Sequence, residues 1–375
     1  MDVCLEDAAA TRVLVTGASG FLASHICQQL QERGYRVRGT VRSLKDLKKV
    51  APLRKLCPVA NYQLDLVEAD LLHAKDWMAA VAGCTYVIHV ASPVPGKEPS
   101  DEQTLIQPAV KGTLNVLKAC RDAGCVKRVV ITSSAYAIVG QTSPRYDKVY
   151  SESDWTDMNA PVGAYAKSKT LAERAAWDFV RDLPEANKFE VAVINPTYIM
   201  GPVIHGSSGA SQMILLKLMK REISALPNIS LEVCDVRDVA QAHIKAMILD
   251  AAVGKRFIIN TGVLWFRECA EILRREFTQQ GYKIPSTNAH KIVVWAAAKF
   301  DKALLMLLPR WGKELRFNSD RMLNVLDIQP RNMEDTILDM AYTMIEGGFL
   351  PKAPNYRKRK APLSRQVSQQ QPAEH

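Results

Sequence analysis

The chain has no run of about 18 uninterrupted apolar residues, so it is not expected to contain a membrane-spanning helix. Its eight cysteines form no C-x-x-C pair. That absence argues against a disulfide scaffold or a zinc site and favours reduced thiols in the cytosol. The acidic N-terminal residues MDVCLEDAAA are typical of neither a signal peptide nor a transit peptide. These absences together favour a cytoplasmic protein without stable membrane insertion.

The positive charge is concentrated at the C-terminus. The net charge is +10, and residues 352–375 hold six Lys or Arg and one Glu. The net positive charge that remains outside these residues suits an anionic ligand and does not imply nucleic-acid binding. Residues 351–375 are rich in Pro, Gln and basic residues, so we expect a disordered basic tail. Its YRKRK cluster is a solvated segment, an anionic-membrane contact or a nuclear address.

A glycine-rich turn near the N-terminus carries the first functional signal. Val13–Val15 is predicted to be a buried strand, and a helix is predicted from Gly20 onward. Gly17 allows a sharp turn, Gly20 allows the backbone to approach a phosphate, and the helix N-terminus offers free N–H groups. The spacing is G-x-x-G-x-x-A, with the small Ala23 in the third position. We therefore predict a dinucleotide-binding turn; the alternative is a strand–helix turn that binds nothing.

Strand-like and helix-like segments alternate through the first half of the chain. This rhythm predicts an α/β fold, a Rossmann-type doubly wound parallel sheet with a smaller, mainly helical substrate lobe. The dinucleotide-binding domain is assigned to residues 1–195 and about 235–262, and the lobe to residues 196–234 and 263–350. Residues 291–308 are apolar but interrupted by charges. They are expected to form a helix packed on the lobe, or alternatively a helix on a membrane surface.

The end of the second predicted strand indicates which dinucleotide is bound. NAD-specific folds usually carry an acidic residue there, which binds the ribose 2′-hydroxyl. Here the sequence reads Gly39-Thr40-Val41-Arg42-Ser43, so an arginine stands where a carboxylate is expected. Because a guanidinium can bind a 2′-phosphate bidentately, NADP(H) is favoured over NAD(H).

Tyr165 and Lys169 are four residues apart, so one helix places both on the same face. A Lys⁺ about 4 Å from a phenol favours the phenolate by roughly 4 kcal/mol at an effective dielectric of ~20, so we expect the pKa of Tyr165 to be lowered towards neutrality. Ser134 closes the preceding apolar strand, where it would face the cofactor crevice. Tyr356 and Lys360 repeat the spacing in the tail, so the spacing alone is not diagnostic.

Several motifs together resemble one family. They are VTGASGFLAS, GTVRS, EADL, HVASP, KGTLNVL, VVITSSA, YAKSKTLAERAAW and NPTYIMGP. The chain is identified by them as a member of the extended short-chain dehydrogenases/reductases. It most resembles the branch of dihydroflavonol reductases, cinnamoyl-CoA reductases and aldehyde (methylglyoxal-type) reductases. The resemblance runs from about Arg12 to Phe349.

The resemblance also implies functional residues. Ser134, Tyr165 and Lys169 would be catalytic, with Asn115 as a fourth member. Arg42 and Lys49 would contact the 2′-phosphate, and Asp70 and Leu71 the adenine. Pro196–Ile199 would lie beside the nicotinamide. The implied cofactor contacts are Gly17, Gly20, Phe21, Leu22, Arg42, Lys49, Asp70, Leu71, Val90, Ala91, Ser92, Tyr165, Lys169, Pro196, Thr197, Tyr198, Ile199 and Ser211.

The resemblance stops short of a substrate. Plant flavonoid reductases carry an Asn where Val139 stands, and the NWYCY signature of cinnamoyl-CoA reductases is replaced by APVGAY. We therefore predict an NADP(H)-dependent reductase of a small-molecule carbonyl to an alcohol, acting as a monomer or homodimer. The alternatives are a 3β-hydroxysteroid or sterol dehydrogenase and a non-catalytic NADP-sensing module.

Overall fold

The computed structural model describes residues 5–93, 99–204, 210–298 and 308–359. Its strands are β1 Arg12–Val15, β2 Arg36–Val41, β3 Asp65–Glu68, β4 Tyr86–His89, β5 Arg128–Thr132, β6 Val149–Tyr150, β7 Glu190–Pro196, β8 Tyr198–Met200, β9 Ser230–Asp235, β10 Arg256–Ile259, β11 Gly262–Trp265 and β12 Arg316–Phe317. Its α-helices are α1 Leu5–Ala10, α2 Phe21–Glu32, α3 Leu47–Leu53, α4 Ala74–Val81, α5 Gln103–Ala123, α6 Ala164–Arg181, α7 Ala210–Met219, α8 Val236–Ile248, α9 Phe266–Phe277, α10 Lys291–Ala297, α11 Asp320–Asn324 and α12 Met333–Glu346.

The main sheet has seven strands in the order β3-β2-β1-β4-β5-β7-β10. Every neighbouring pair in it is parallel. Chain order reverses between β1 and β4, where Val15 lies opposite Ile88. A doubly wound sheet binds its ligand at such a switch point, beyond the carboxyl ends of the strands.

Helices cover both faces of this sheet and account for its apolar strands. Cores form on the two faces, one with α2 and α8 and the other with α4, α5 and α6. Arg128 on β5 is fully buried and donates to the C-terminal carbonyls of α8, including that of Met247 at 2.9 Å. A cation at the end of a helix satisfies carbonyls that have no partner within it. Gly34, Gly83 and Gly124 have positive φ, as expected for left-handed caps.

The lobe lies beyond the carboxyl edge of the main sheet and contains strands that the sequence did not predict. Strands β8, β9 and β11 form a three-stranded sheet, with β8 parallel and β11 antiparallel to β9. The helices α7, α9 and α12 pack against it in a separate core. Strand β10 lies beside β7 in the main sheet, so the chain returns there after its first passage through the lobe.

The apolar segment at residues 291–308 differs from its expectation where it is described. Helix α10 leaves Ile292 and Trp295 74% and 53% exposed, instead of packing them on the lobe. An open cavity of about 600 Å³ lies between this helix and Leu308–Pro309. Residues 299–307 of the segment lie outside the described part. No helix in the described residues is long and apolar enough to span a membrane.

Residues 351–359 of the tail, which the composition predicts to be disordered, contact the lobe in the structure. The Tyr356 hydroxyl donates to Glu346 Oε1 at 2.6 Å. Arg359 donates to Asp335 Oδ1 at 2.5 Å and also contacts Asp339. Because α12 places these carboxylates beside the segment, Tyr356 and Arg359 find partners there, although the composition of the segment favours disorder. Residues 360–375 lie outside the described part.

Candidate cofactor and active site

The turn between β1 and α2 has the geometry that the glycines predict. Gly17 has φ +69°, and a Cβ there would lie 3.1 Å from the Ala91 Cβ. Gly20 caps α2 and supplies no side-chain hydrogen bond. The N–H groups of the first helical turn are therefore free for an anion, with the positive end of the helix dipole behind them. Phe21 and the buried Leu22 begin this helix.

Thr16 joins this turn to the next strand and was missed in the sequence. Its Oγ1 accepts hydrogen bonds from the N–H groups of Val90 at 3.0 Å and Ala91 at 2.9 Å. It also lies 2.9 Å from His89 Nδ1. Burial lowers the pKa of His89 to about 3, so this ring is neutral. Val90, Ala91 and the half-buried Ser92 thus lie beside the glycine turn, as a cofactor contact requires.

The predicted 2′-phosphate site lies at the end of β2. Arg42 is exposed there and has no partner among the described residues. Lys49 is instead paired with Asp46 at 3.0 Å. Glu68 at the end of β3 accepts from the Leu44 N–H at 2.7 Å, which shapes the loop after Arg42. Arg42 is therefore the cation best placed to take an added anion.

Asn115 lies on α5, which packs against the helix α6 that carries Tyr165 and Lys169. Its Nδ2 donates to the Leu71 carbonyl at 2.8 Å. The Asp70 carboxylate accepts from the Leu72 N–H at 2.8 Å, so both residues of the predicted adenine contact are held in a turn. A Cβ at Gly112 would lie 3.0 Å from Leu71, which explains the close approach of α5. Asn115 thus supports this turn, and its place in the catalytic set stays a prediction.

Ser134, Tyr165 and Lys169 come together at the carboxyl edge of β5. Ser134 follows β5, while Tyr165 and Lys169 lie one turn apart on α6. The Ser134 side chain lies near enough to the Tyr165 hydroxyl to lower its pKa, and it also accepts from the Tyr136 N–H at 3.1 Å. The Lys169 Nζ lies 5.9 Å from the centre of the Tyr165 ring, and the Tyr136 ring meets that ring edge-on at 5.8 Å. This group provides a proton donor, a hydrogen-bonding hydroxyl and a cation in one place.

The expected lowering of the tyrosine pKa is not found in the protein alone. Burial raises the pKa of Tyr165 to about 12, the Tyr136 hydroxyl adds to the rise, and the Ser134 hydrogen bond opposes it. Burial also lowers the pKa of Lys169 to about 8, against the opposing charge of Glu173. Desolvation of each charged form outweighs the Tyr165–Lys169 attraction that the spacing predicted.

The predicted nicotinamide contacts follow β7. Pro196 ends that strand, and the Thr197 Oγ1 donates to the Ile259 carbonyl at 3.2 Å. Tyr198 and Ile199 open β8 and are half-buried. Ser211 lies in α7, and its side chain is outside the described part.

A buried polar cluster behind Ser134 was also missed. It comprises Ser133, Glu173, Asn195 and Arg256. Glu173 stands four residues beyond Lys169, so the helical spacing that found Tyr165 and Lys169 could also have found it.

A dinucleotide fold with serine, tyrosine and lysine together at its switch point has the architecture of the extended short-chain dehydrogenases/reductases. Residues 13–262 match the model of the NAD dependent epimerase/dehydratase family. The chain belongs to that family.

Curated relatives are reductases. The chain is 39% identical over 266 residues to cinnamoyl-CoA reductase CAD2 of Medicago truncatula, covering 70% of this chain and 79% of the relative. It is 33% identical over 312 residues to a putative NADPH-dependent methylglyoxal reductase of Candida albicans, covering 77% and 89%.

A solved relative has the same fold. The crystal structure of Candida albicans Gre2 in complex with NADPH aligns with a TM-score of 0.73 and 26% identity, covering 90% of this chain and 99% of that one. The predicted family and Rossmann-type fold are therefore confirmed. The NADPH in Gre2 agrees with the predicted NADP(H) cofactor.

Proposed function

We propose that this protein is an NADP(H)-dependent oxidoreductase that reduces a small-molecule carbonyl to an alcohol. The observation that carries the proposal is the convergence of three side chains: Ser134 follows β5, Tyr165 lies on α6, and the Nζ of the buried Lys169 lies 5.9 Å from the centre of the Tyr165 ring. The reductase relatives support the same class of reaction. The site residues named below are assigned on this basis.

Tyr165 is assigned as the proton donor. Since burial raises its pKa to about 12, its hydroxyl is protonated at neutral pH and can deliver a proton to a carbonyl oxygen. Ser134 holds that oxygen by a hydrogen bond. Lys169 binds the ribose hydroxyls of the cofactor and stabilises the phenolate that remains. The bound cofactor supplies the hydride.

The cofactor-binding side is assigned from the contacts that fit a dinucleotide phosphate. A side chain at Gly17 or Gly20 would crowd Ala91 or the Gly17 carbonyl, so the turn is kept open for the pyrophosphate. Arg42 binds the 2′-phosphate of the adenosine half. Asp70 and Leu71 shape the adenine contact, and Asn115 holds their turn.

Location and partners are proposed more coarsely. The seven described cysteines are free, which supports a reducing compartment such as the cytoplasm. The proposed substrate is a small molecule, and the proposed oligomeric state is a monomer or a homodimer. The steroid alternative uses the same catalytic residues, and no observation on the described residues favours it over the proposed class.

The decisive test replaces Tyr165 by Phe, which keeps the ring and removes the proton donor. We expect turnover of the best carbonyl in a panel to fall by about 10²–10⁴-fold, the usual contribution of general acid catalysis. Affinity for NADPH, followed by fluorescence titration, should barely change because the glycine turn and Arg42 remain.

Tyr136→Phe is the matched control, since it removes the neighbouring phenolic hydroxyl and keeps the edge-on ring contact. We expect it to lose far less turnover than Tyr165→Phe. Full activity in Tyr165→Phe would mean that another group delivers the proton. If the unmodified protein consumed no NADPH with any carbonyl of the panel, that result would contradict the proposed reaction.

A further inference from the structure

The carboxylate of Glu173 is completely buried beneath the proposed active site. It lies on α6, one turn beyond Lys169 and two turns beyond Tyr165, and is 1% exposed. A carboxylate in such a place is costly unless it is paired and hydrogen-bonded. Its partners therefore show what the fold uses it for.

On one side Glu173 holds the chain at Ser134. The Ser133 hydroxyl donates to Glu173 Oε2 at 2.5 Å. Asn195 Nδ2 donates to the same oxygen at 2.9 Å and to the Ser134 carbonyl at 3.1 Å. Glu173 thus fixes the backbone on both sides of the Ser133–Ser134 peptide, directly and through Asn195.

On the other side Arg256 fixes Glu173. The Arg256 Nε donates to Glu173 Oε1 at 2.6 Å and its Nη2 to Glu173 Oε2 at 3.4 Å, while its Nη1 donates to the backbone carbonyls of Glu152 and Asp154. The guanidinium stacks on the Trp155 ring at 3.8 Å. The Trp177 Nε1 also donates to Glu173 Oε1 at 3.3 Å. The carboxylate therefore has a single well-defined position.

The charge of Glu173 also acts on Lys169. The described titratable groups around Lys169 are Tyr165 and Glu173 on its own helix and His89 on β4. His89 is neutral, and Tyr165 is neutral at physiological pH. Glu173 thus supplies the negative charge that opposes the loss of the Lys169 proton in a buried site.

We propose that Glu173 is a positioning residue of the active site, which fixes the Ser133–Ser134 backbone and keeps Lys169 charged. The inference rests on the proposed function, because only the proposed reaction gives the charge of Lys169 a role in turnover. Glu173 is not proposed to touch the substrate or the cofactor.

The test is the pH profile of turnover in Glu173→Gln. Loss of the negative charge lowers the pKa of Lys169 further, so the protonated lysine is lost at a lower pH. The alkaline limb of kcat and of NADPH affinity should therefore move down by about one pH unit or more. Ser133→Ala removes one hydrogen bond without changing charge, so it should lower kcat and leave the limb in place.

Two further variants separate charge from geometry. Glu173→Asp keeps the charge on a shorter side chain, so it should restore the alkaline limb without restoring full kcat. Asp238→Asn removes another buried, ion-paired carboxylate, bound to Arg331 at 3.0 Å. It should alter the melting temperature and leave the limb unmoved. If Glu173→Gln does not fold with Arg256 unpaired, the double variant Glu173→Gln with Arg256→Met is compared with Arg256→Met alone, and the alkaline limb of the double variant should lie at the lower pH.

The inference would be overturned if a folded variant without the Glu173 charge kept the alkaline limb of its pH profile at the original pH. The proposed function would survive that result, provided that Tyr165→Phe still abolishes turnover. Failure of the proposed function is a separate outcome, recognised by absent turnover in the unmodified protein. The pH dependence of NADPH affinity can be measured even in that case.

Discussion

Arg42 is the single residue through which we expect the protein to distinguish NADPH from NADH. It follows β2 and has no partner among the described residues, whereas the charge of Lys49 is already paired with Asp46. Arg42→Ala should raise the KM for NADPH by about tenfold or more, since a hydrogen bond to a charged group contributes ~1.5–3 kcal/mol. Steady-state kinetics with both cofactors measures this change.

NADH lacks the 2′-phosphate, so its KM should change little in Arg42→Ala. Lys118→Ala, which removes an exposed charge on α5, controls for a general loss of positive charge. Equal losses for NADPH and NADH in the arginine variant would contradict a 2′-phosphate site at Arg42.

Among the elements, α12 and the segment that follows it form one packed unit. Residues 352–359 lie against α12 and the turn that follows α9, where the Arg357 N–H donates to Gln280 Oε1 at 3.0 Å. Tyr356 packs on the lobe core, with its ring 6.2 Å from that of Tyr342. The segment therefore stabilises the lobe by apolar contact as well as by ion pairs.

Truncation tests this packed segment. Ending the chain after Pro351 should lower the melting temperature by about 2–6 °C, because the hydrogen bonds and apolar contacts of Tyr356 and Arg359 are lost. Ending it after Arg359 keeps those contacts and should leave the melting temperature unchanged. Equal melting temperatures for the two truncated proteins, measured by calorimetry, would show that residues 352–359 do not stabilise the lobe.

For the whole molecule, the cofactor site depends on strands and helices far apart in the sequence. The glycine turn belongs to β1 and α2, Arg42 to β2, Val90 to the end of β4 and Lys169 to α6. Ligand binding at such a site stabilises the entire fold by mass action. NADPH at about 100 times its Kd should add about 2.7 kcal/mol to the free energy of unfolding.

The corresponding measurement is thermal unfolding with NADPH and with NADH at one concentration. NADPH should raise the melting temperature more than NADH, and the difference should disappear in Arg42→Ala. An equal rise with both cofactors in the unmodified protein would contradict the preference for NADP(H).

The sequence determined the parts of this protein that depend on local spacing. The spacing of Tyr165 and Lys169 predicted the single helix that carries both, α6, and the glycine pattern predicted the turn at Gly17, because a helical period and a positive φ are properties of a few neighbouring residues. The arginine at the end of β2 and the Tyr165–Lys169 pair were found for the same reason. These local signals sufficed for the family, the fold class and the cofactor.

Tertiary structure alone decided what depends on burial and on distant partners. The pKa of Tyr165 rises where spacing predicted a fall, because desolvation depends on what packs around the ring. Thr16, Asn195 and Arg256 find partners more than 60 residues away, which no local pattern indicates. Arg359 is ordered because α12 brings Asp335 to it, although the composition of its own segment favours disorder.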